Sequence, residues 1–279
     1  CYILNLPTEN INFRYIRNDE NIGSDRNIAK SYNEALSDYV LILGDDDFLR
    51  PNALDIICRA LIDEEPDLAY MNTCGFVQSQ SEIPFSVSNK MKIYDKSSDF
   101  ILSVNIGLTC ISSVIFSKKK LLLDANYFIG TNLVQWGLAL KICSTASKLI
   151  KFESYMVAYK RNNSGGYNYW NVFINNLFDL FDATFSQLPT LRNSLAKRLL
   201  IYHYPYYALK SKKAKKFNTN IICDNFDAYF NNIIIYRYLL RYIYSLPYFI
   251  FYLLAPLIYA LRAINGEYRK IIVLFMKGL

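Results

Sequence analysis

The sequence predicts an α/β chain in two parts: a doubly wound, mixed sheet over residues 1–167, then an all-helical, membrane-associating region over 168–279. Three observations carry this. Strand-like and helix-like patterns alternate through the first part. An apolar run, Tyr39 to Leu43, ends at Gly44 and three consecutive aspartates. Charge then changes sign: residues 1–196 hold 18 basic and 21 acidic side chains, net −3, whereas 197–279 hold 13 and 3, net +10.

Residues 13–17 (FRYIR) alternate and read as a short strand. Over 25–37, Ile28, Tyr32, Ala35 and Leu36 recur at helical spacing, with Ser24 as N-cap. Residues 39–43 (YVLIL) are continuously apolar, the mark of a central strand covered on both faces. Pro51 opens the next helix at a tolerated first-turn position, and Ala53, Leu54, Ile57, Cys58, Leu61 and Ile62 form its apolar stripe. Residues 67–72 read as a strand, 73–95 as irregular or a hairpin, 97–105 as a helix and 112–117 as a strand. An amphipathic helix follows over 132–144, then one or two short strands over 149–160 and a loop, RNNSGGYN, over 161–168. Everything after that reads helical: 169–187, 190–210, 218–231 and a broken stretch from 233.

At 52% apolar and 20% charged residues, the composition excludes a disordered chain. Six cysteines lie far apart without a C-x-x-C pair, and His203 is the one histidine, so a zinc cluster is not expected. The thiols read as reduced and packed, and His203 as structural.

The three aspartates, Asp45, Asp46 and Asp47, follow a buried strand directly. Ligands of open α/β sheets bind at the carboxyl ends of strands. Three adjacent carboxylates repel one another, and a hard divalent cation, Mg²⁺ or Mn²⁺, relieves that repulsion while binding a diphosphate. Neither a P-loop nor a G-x-G-x-x-G fingerprint is present, which leaves those two nucleotide sites without support.

N-I-G-S-D-R-N (Asn21 to Asn27), E-A-L-S-D-Y-V-L-I-L-G-D-D-D (Glu34 to Asp47) and F-L-R-P-N-A-L (Phe48 to Leu54) together resemble the first half of a bacterial family 2 glycosyltransferase of the GT-A fold. The G-D-D-D form is most similar to the abequosyltransferase-like members, which add sugars to lipid-linked O-antigen units. The resemblance is strongest over 13–62 and rests on element order to about 160. It implies a GT-A-like fold whose opening strand lies ahead of Cys1, a nucleotide-sugar donor and a divalent metal. By position, Asp45 and Asp47 match the acids that hold the donor ribose and the metal on its diphosphate, and Asp46 matches the middle acid, which faces the sugar. Asp25 and Arg26 fall at the helix start that lies near the nucleotide.

The resemblance also implies an acid that deprotonates the acceptor hydroxyl in an inverting displacement. Alignment on Trp136 and Leu138 places Gln135 there, and glutamine cannot take a proton. The base is then Asp124, Asp46 or no residue of this chain, while Asn132 and Gln135 are candidates to hydrogen-bond an acceptor sugar. In the loop after the last strand, Arg161, with Ser164 nearby, is a candidate clamp on the donor diphosphate. Trp136 and Trp170 are candidates to stack on a sugar ring, with core packing the stronger reading for Trp136.

KSKKAKK (Lys210 to Lys216) puts five lysines in seven residues, and Tyr242 to Leu261 gives twenty residues without charge. Twenty apolar residues can span a bilayer, yet Pro247 and Pro256 interrupt this run and five tyrosines favour the interface. Basic residues flank it on both sides: Arg237 and Arg241, then Arg262, Arg269 and Lys270. These features predict a monotopic or re-entrant anchor over about 233–265 with both ends on the cytoplasmic face of a bacterial inner membrane, and no nucleic-acid partner. The expected function is a metal-dependent glycosyltransferase that moves a sugar from a nucleotide-diphosphate donor to a lipid-linked saccharide acceptor in surface polysaccharide synthesis. The alternative is a membrane-anchored, catalytically weak sugar-nucleotide binding or scaffold protein.

Overall fold

The computed structural model describes residues 12–77, 90–119, 122–161, 166–215 and 219–262. In chain order the first part runs α1 (Ser24–Glu34), β1 (Tyr39–Leu41), β2 (Phe48–Leu49), α2 (Ala53–Glu64), β3 (Leu68–Phe76), β4 (Met91–Tyr94), α3 (Ser97–Val104), β5 (Val114–Ser117), α4 (Val134–Thr145) and β6 (Leu149–Lys160). The strands pair in the order β1-β5-β3-β6-β2, with β4 also on β6. Only β3 and β6 are parallel; the other pairs are antiparallel.

Alternation along the strands builds two cores. Leu68 and Tyr70 of β3 and Val114 and Phe116 of β5 face one side, where α1, α3, α4 and the C-terminal helices cover them. Ala69, Met71 and Ile115 face the other side, where α2 covers them with Ala53, Ile57 and Ala60. The sheet is therefore wrapped on both faces and is mixed, as predicted.

Several elements differ from the sequence reading. The segment 13–17 pairs with no described strand: Phe13, Tyr15 and Ile16 are exposed, and Arg14 turns to Glu34 instead, bonding its carbonyl at 2.5 Å and its carboxylate at 3.2 Å. No described strand neighbours this alternation to bury it. The predicted central strand 39–43 lies at the edge of the described sheet and stops at Leu41. Gly23, at φ +81°, is the N-cap of α1 in place of Ser24, which is its first helical residue. Residues 149–160 form one strand of 12 residues, irregular opposite Met71–Thr73 of β3. The expectation of a strand ahead of Cys1 concerns residues outside those described.

The C-terminal part is helical: α5 (Leu177–Phe185), α6 (Pro189–Arg198), α7 (Tyr204–Lys213), α8 (Thr219–Phe230), α9 (Arg241–Ser245), α10 (Tyr248–Leu253) and α11 (Ala255–Arg262). Three π-helical stretches interrupt it, at Asn171–Asn176, Leu199–His203 and Tyr236–Leu240. One hydrophobic cluster runs from Ala29 of α1 to Ile258 of α11, and Trp136 of α4 donates its indole N–H to the Leu177 carbonyl at 3.1 Å. The two prolines of the uncharged run punctuate helices rather than kink one: Pro247 precedes α10 and Pro256 lies in the first turn of α11, where its missing N–H costs nothing. Among the described residues, no helix is long and apolar enough to cross a membrane. Tyr244, Phe251, Ala255 and Ile258 turn into the core, while Phe249, Leu253 and Leu257 are exposed. Lys212 of the lysine run is buried and donates to the Leu246 carbonyl at 2.8 Å.

Candidate active site

The acidic block forms a tight turn between β1 and β2. The Asp47 amide donates to the Gly44 carbonyl at 3.2 Å, which puts Asp45 and Asp46 at the tip. Ser112 Oγ accepts from the Gly44 amide at 2.9 Å and donates to Asp47 Oδ2 at 2.5 Å. The Lys160 amide donates to Asp47 Oδ1 at 3.1 Å. Asp47 thus joins the turn to the segment before β5 and to the end of β6. A Cβ at Gly44 would lie 3.2 Å from Asp47 Oδ2, so glycine lets the backbone come this close. Burial pushes the Asp47 carboxyl above its ordinary value; the Ser112 and Lys160 donors oppose this, and the Asp46 and Asp45 charges add to it.

Asp45 is exposed and Asp46 half-buried at the same tip. A hard cation takes carboxylate oxygens and completes its shell with phosphate oxygens and water. Asp45 and Asp47, two residues apart on one turn, fit the protein's share of such a shell. Among the described residues no group of three or more His, Cys, Asp or Glu side chains makes a self-contained metal cage. The donor set fits an ion shared with a diphosphate.

Arg161 lies at the same edge of the sheet. Its amide donates to the Phe76 carbonyl at 2.9 Å, and its side chain crosses β3 over Gly75, where any Cβ would collide with it. It follows directly on Lys160, whose amide holds Asp47, so its backbone starts beside the acidic turn while its side chain lies over β3. Ser164 lies outside the described residues.

The other predicted site residues have structural occupations. Asp25 Oδ2 accepts from the Gly130 and Asn132 amides at 2.7 and 2.8 Å, holding the loop that enters α4, where Gly130 and Asn132 both have positive φ. Its neighbour Arg26 is exposed on α1. Asp124 caps the short helix Ala125–Phe128: its Oδ1 accepts from the Asn126 amide at 2.9 Å and from Asn33 of α1 at 2.8 Å. This docking role takes up the carboxylate expected as a base. Gln135 is buried; its Nε2 donates to the Thr109 carbonyl at 2.5 Å, while its Oε1 is buried without a hydrogen-bond partner. It ties α4 to the segment after α3. Both tryptophans are buried, Trp170 packing edge-on against Tyr204, so neither presents a face to a sugar.

A cavity of about 440 Å³ opens between β3, β6, the segment 102–110 and the C-terminal helices. Tyr70, Tyr159, Tyr167, Tyr169, Tyr202 and Tyr207 contribute to its wall, with Lys151 and Arg198. Tyr169 stacks on Tyr207 with ring centroids 4.2 Å apart and bonds His203 Nε2 at 2.8 Å. The segment between cavity and acidic turn is short: Thr109 and Cys110 line the cavity, and Ser112 holds Asp47. Sequence patterns missed this cavity, since its tyrosines fall in segments read only as helix, strand or loop. A local signal was Lys151, which with Glu153 interrupts the apolar run of β6.

Residues 3–122 match the model of the family described as Glycosyl transferase family 2. No curated protein matches the chain. Among solved structures, the crystal structure of S. aureus TarS 1–349 in complex with UDP-GlcNAc is similar in fold, with a TM-score of 0.56 at 14% identity, over 94% of this chain and 77% of that one.

Proposed function

Taking the chain as a glycosyltransferase with a family 2 domain over residues 3–122, we propose that it moves a sugar from a nucleoside-diphosphate donor, held at the acidic turn, to a lipid-linked saccharide acceptor. The observation that carries this is the turn itself. Asp45 and Asp47 follow the carboxyl end of a strand, Asp47 braced by Ser112 and the Lys160 amide, with Arg161 at the same edge. A Mg²⁺ or Mn²⁺ ion there would stabilise the leaving diphosphate as a Lewis acid. Asp45 and Asp47 hold the donor's charged end, and Arg161 offsets diphosphate charge. In the inverting displacement the acceptor oxygen bonds to the anomeric carbon as the bond to the diphosphate oxygen breaks, and the acceptor proton passes to a base. Gln135 cannot accept a proton and Asp124 caps its short helix, so this reading places the base at Asp46, which sits on the acidic turn beside the donor.

The exposed apolar side chains of the C-terminal helices support attachment to a membrane surface without crossing it. The abequosyltransferase-like specificity and the role in O-antigen synthesis belong to this proposal as its narrowest form. Titration of the full chain with UDP, with and without Mn²⁺, tests the site. Mn²⁺ should tighten UDP binding, and Asp47→Asn should remove that gain; equal affinity with and without metal would overturn the metal-bridged donor. UDP binding without sugar transfer to any lipid-linked acceptor would favour the binding or scaffold reading, to which the amide of Gln135 at the expected base position points.

A further inference from the structure

Two cations converge on the tyrosine-walled cavity, Lys151 from β6 and Arg198 from the end of α6, and among the described residues no acidic side chain lines it. Lys151 Nζ donates to the carbonyl and the hydroxyl of Ser103, both at 3.0 Å and both neutral. Neither cation forms an ion pair among the described residues. Burial pushes the Lys151 ammonium below its ordinary value, and Lys92 and Arg198 push the same way; Glu153, which is exposed and outside the cavity, opposes them. Two like charges in a partly desolvated pocket favour an anion between them.

The rest of the wall suits a sugar ring. Tyr169 lies stacked between Tyr207 and Phe173, at centroid distances of 4.2 and 4.6 Å, which fixes it as one rigid aromatic layer of a wall that Tyr70, Tyr159 and Tyr202 also line. Phe173, Tyr202 and His203 stand on two of the π-helical stretches, a distortion that often marks functional sites.

We propose that this cavity binds an anionic saccharide, a sugar bearing a phosphate or a carboxylate, with Lys151 and Arg198 on the anion and the tyrosines against the ring. It serves as the acceptor site, an assignment that rests on the glycosyltransferase reading above. Lys151 and Arg198 then set acceptor specificity.

The test uses the full chain without nucleotide, titrated separately with glucose 6-phosphate, glucuronate and glucose. At least one anionic sugar should bind about tenfold or more tighter than glucose, the worth of one charge-assisted hydrogen bond. Preference for glucose 6-phosphate alone assigns a phosphate-bearing acceptor, and preference for glucuronate alone a carboxylate-bearing one. Lys151→Met and Arg198→Met should each remove most of that preference, and Lys151→Arg should retain it. Should Lys151→Met fail to fold, Arg198→Met and the loss of preference in high salt carry the test. Equal binding of the three sugars, or a preference that survives Arg198→Met, would overturn the proposal. Since no nucleotide is present, failure of metal-dependent UDP binding is read in a separate titration.

Discussion

The Asp47 carboxylate is half-buried beside two other carboxylates, and its two oxygens accept from Ser112 and the Lys160 amide. Its proton affinity is raised in the folded state, burial being the largest cause. For an acid with a raised value, the stabilising contribution is full below the ordinary value of 3.8 and is lost as pH rises through the raised one. At neutral pH the charge on Asp47 therefore works against folding. Asp47→Asn removes that charge and keeps an oxygen for the Lys160 amide. It should raise the melting temperature at pH 7, with the gain shrinking as the pH falls through the raised value and gone below about 3.8, while metal-dependent UDP binding is lost. Calorimetry at several pH values checks this, and a lower melting temperature at pH 7 would show that the charge stabilises the turn. The three aspartates were legible in the sequence because a buried strand ending in acids is a local pattern. Their braces were not, because Ser112 and Lys160 reach the turn from 65 and 113 residues away.

At the scale of elements, Asp25 is the residue whose sequence reading and geometry diverge most. At the start of α1 it reads as a donor contact, yet it holds the backbone that enters α4. Asp25→Ala leaves the Gly130 and Asn132 amides without their acceptor and should cost about 1–3 kcal/mol of stability. If the carboxylate only tethers this loop, UDP affinity should stay within twofold of the unaltered chain; a larger loss in calorimetric titration would return Asp25 to the donor site. Most helices were legible as elements, but their faces less so: α2 buries Ala53, Ile57 and Ala60 while Leu54, Cys58 and Ile62 of its expected stripe are exposed, and α4, expected to be amphipathic, is buried nearly all round. The strands were less so. Among the described strands, residues 13–17 alternate without a partner, and 39–43 are apolar enough for a central strand, yet β1 pairs there only with β5. Period alone says which faces a strand offers, and pairing depends on chain far away in sequence.

For the whole molecule, the C-terminal helices are part of the core rather than an appendage. Removing everything after residue 196 would strip Leu199, Leu200, Tyr204 and Phe230 from the cluster that holds α4, so membrane attachment is better tested at the surface. The sequence announced an apolar, basic tail but not how it divides: Tyr244 and Phe251 are buried, whereas Phe249 and Leu253 are 68% and 74% exposed. Arg237 is exposed against the exposed Tyr238 ring, while Arg241 is engaged by Asp227 at 2.6 Å. Exposed aliphatic and aromatic side chains on a basic helical region suit insertion among anionic headgroups. Each of Phe249 and Leu253 gains about 1.5–3 kcal/mol if fully buried in lipid. The double substitution Phe249→Ser, Leu253→Ser should therefore weaken binding to phosphatidylglycerol vesicles by about a hundredfold or more. Because both side chains are exposed, the folded state should change by no more than about 0.5 kcal/mol. Arg237→Gln should lower affinity for anionic vesicles and flatten its salt dependence, leaving neutral vesicles unaffected. Co-sedimentation across vesicle compositions reads all three effects. Undiminished pelleting of the double variant would show that this face does not meet the membrane.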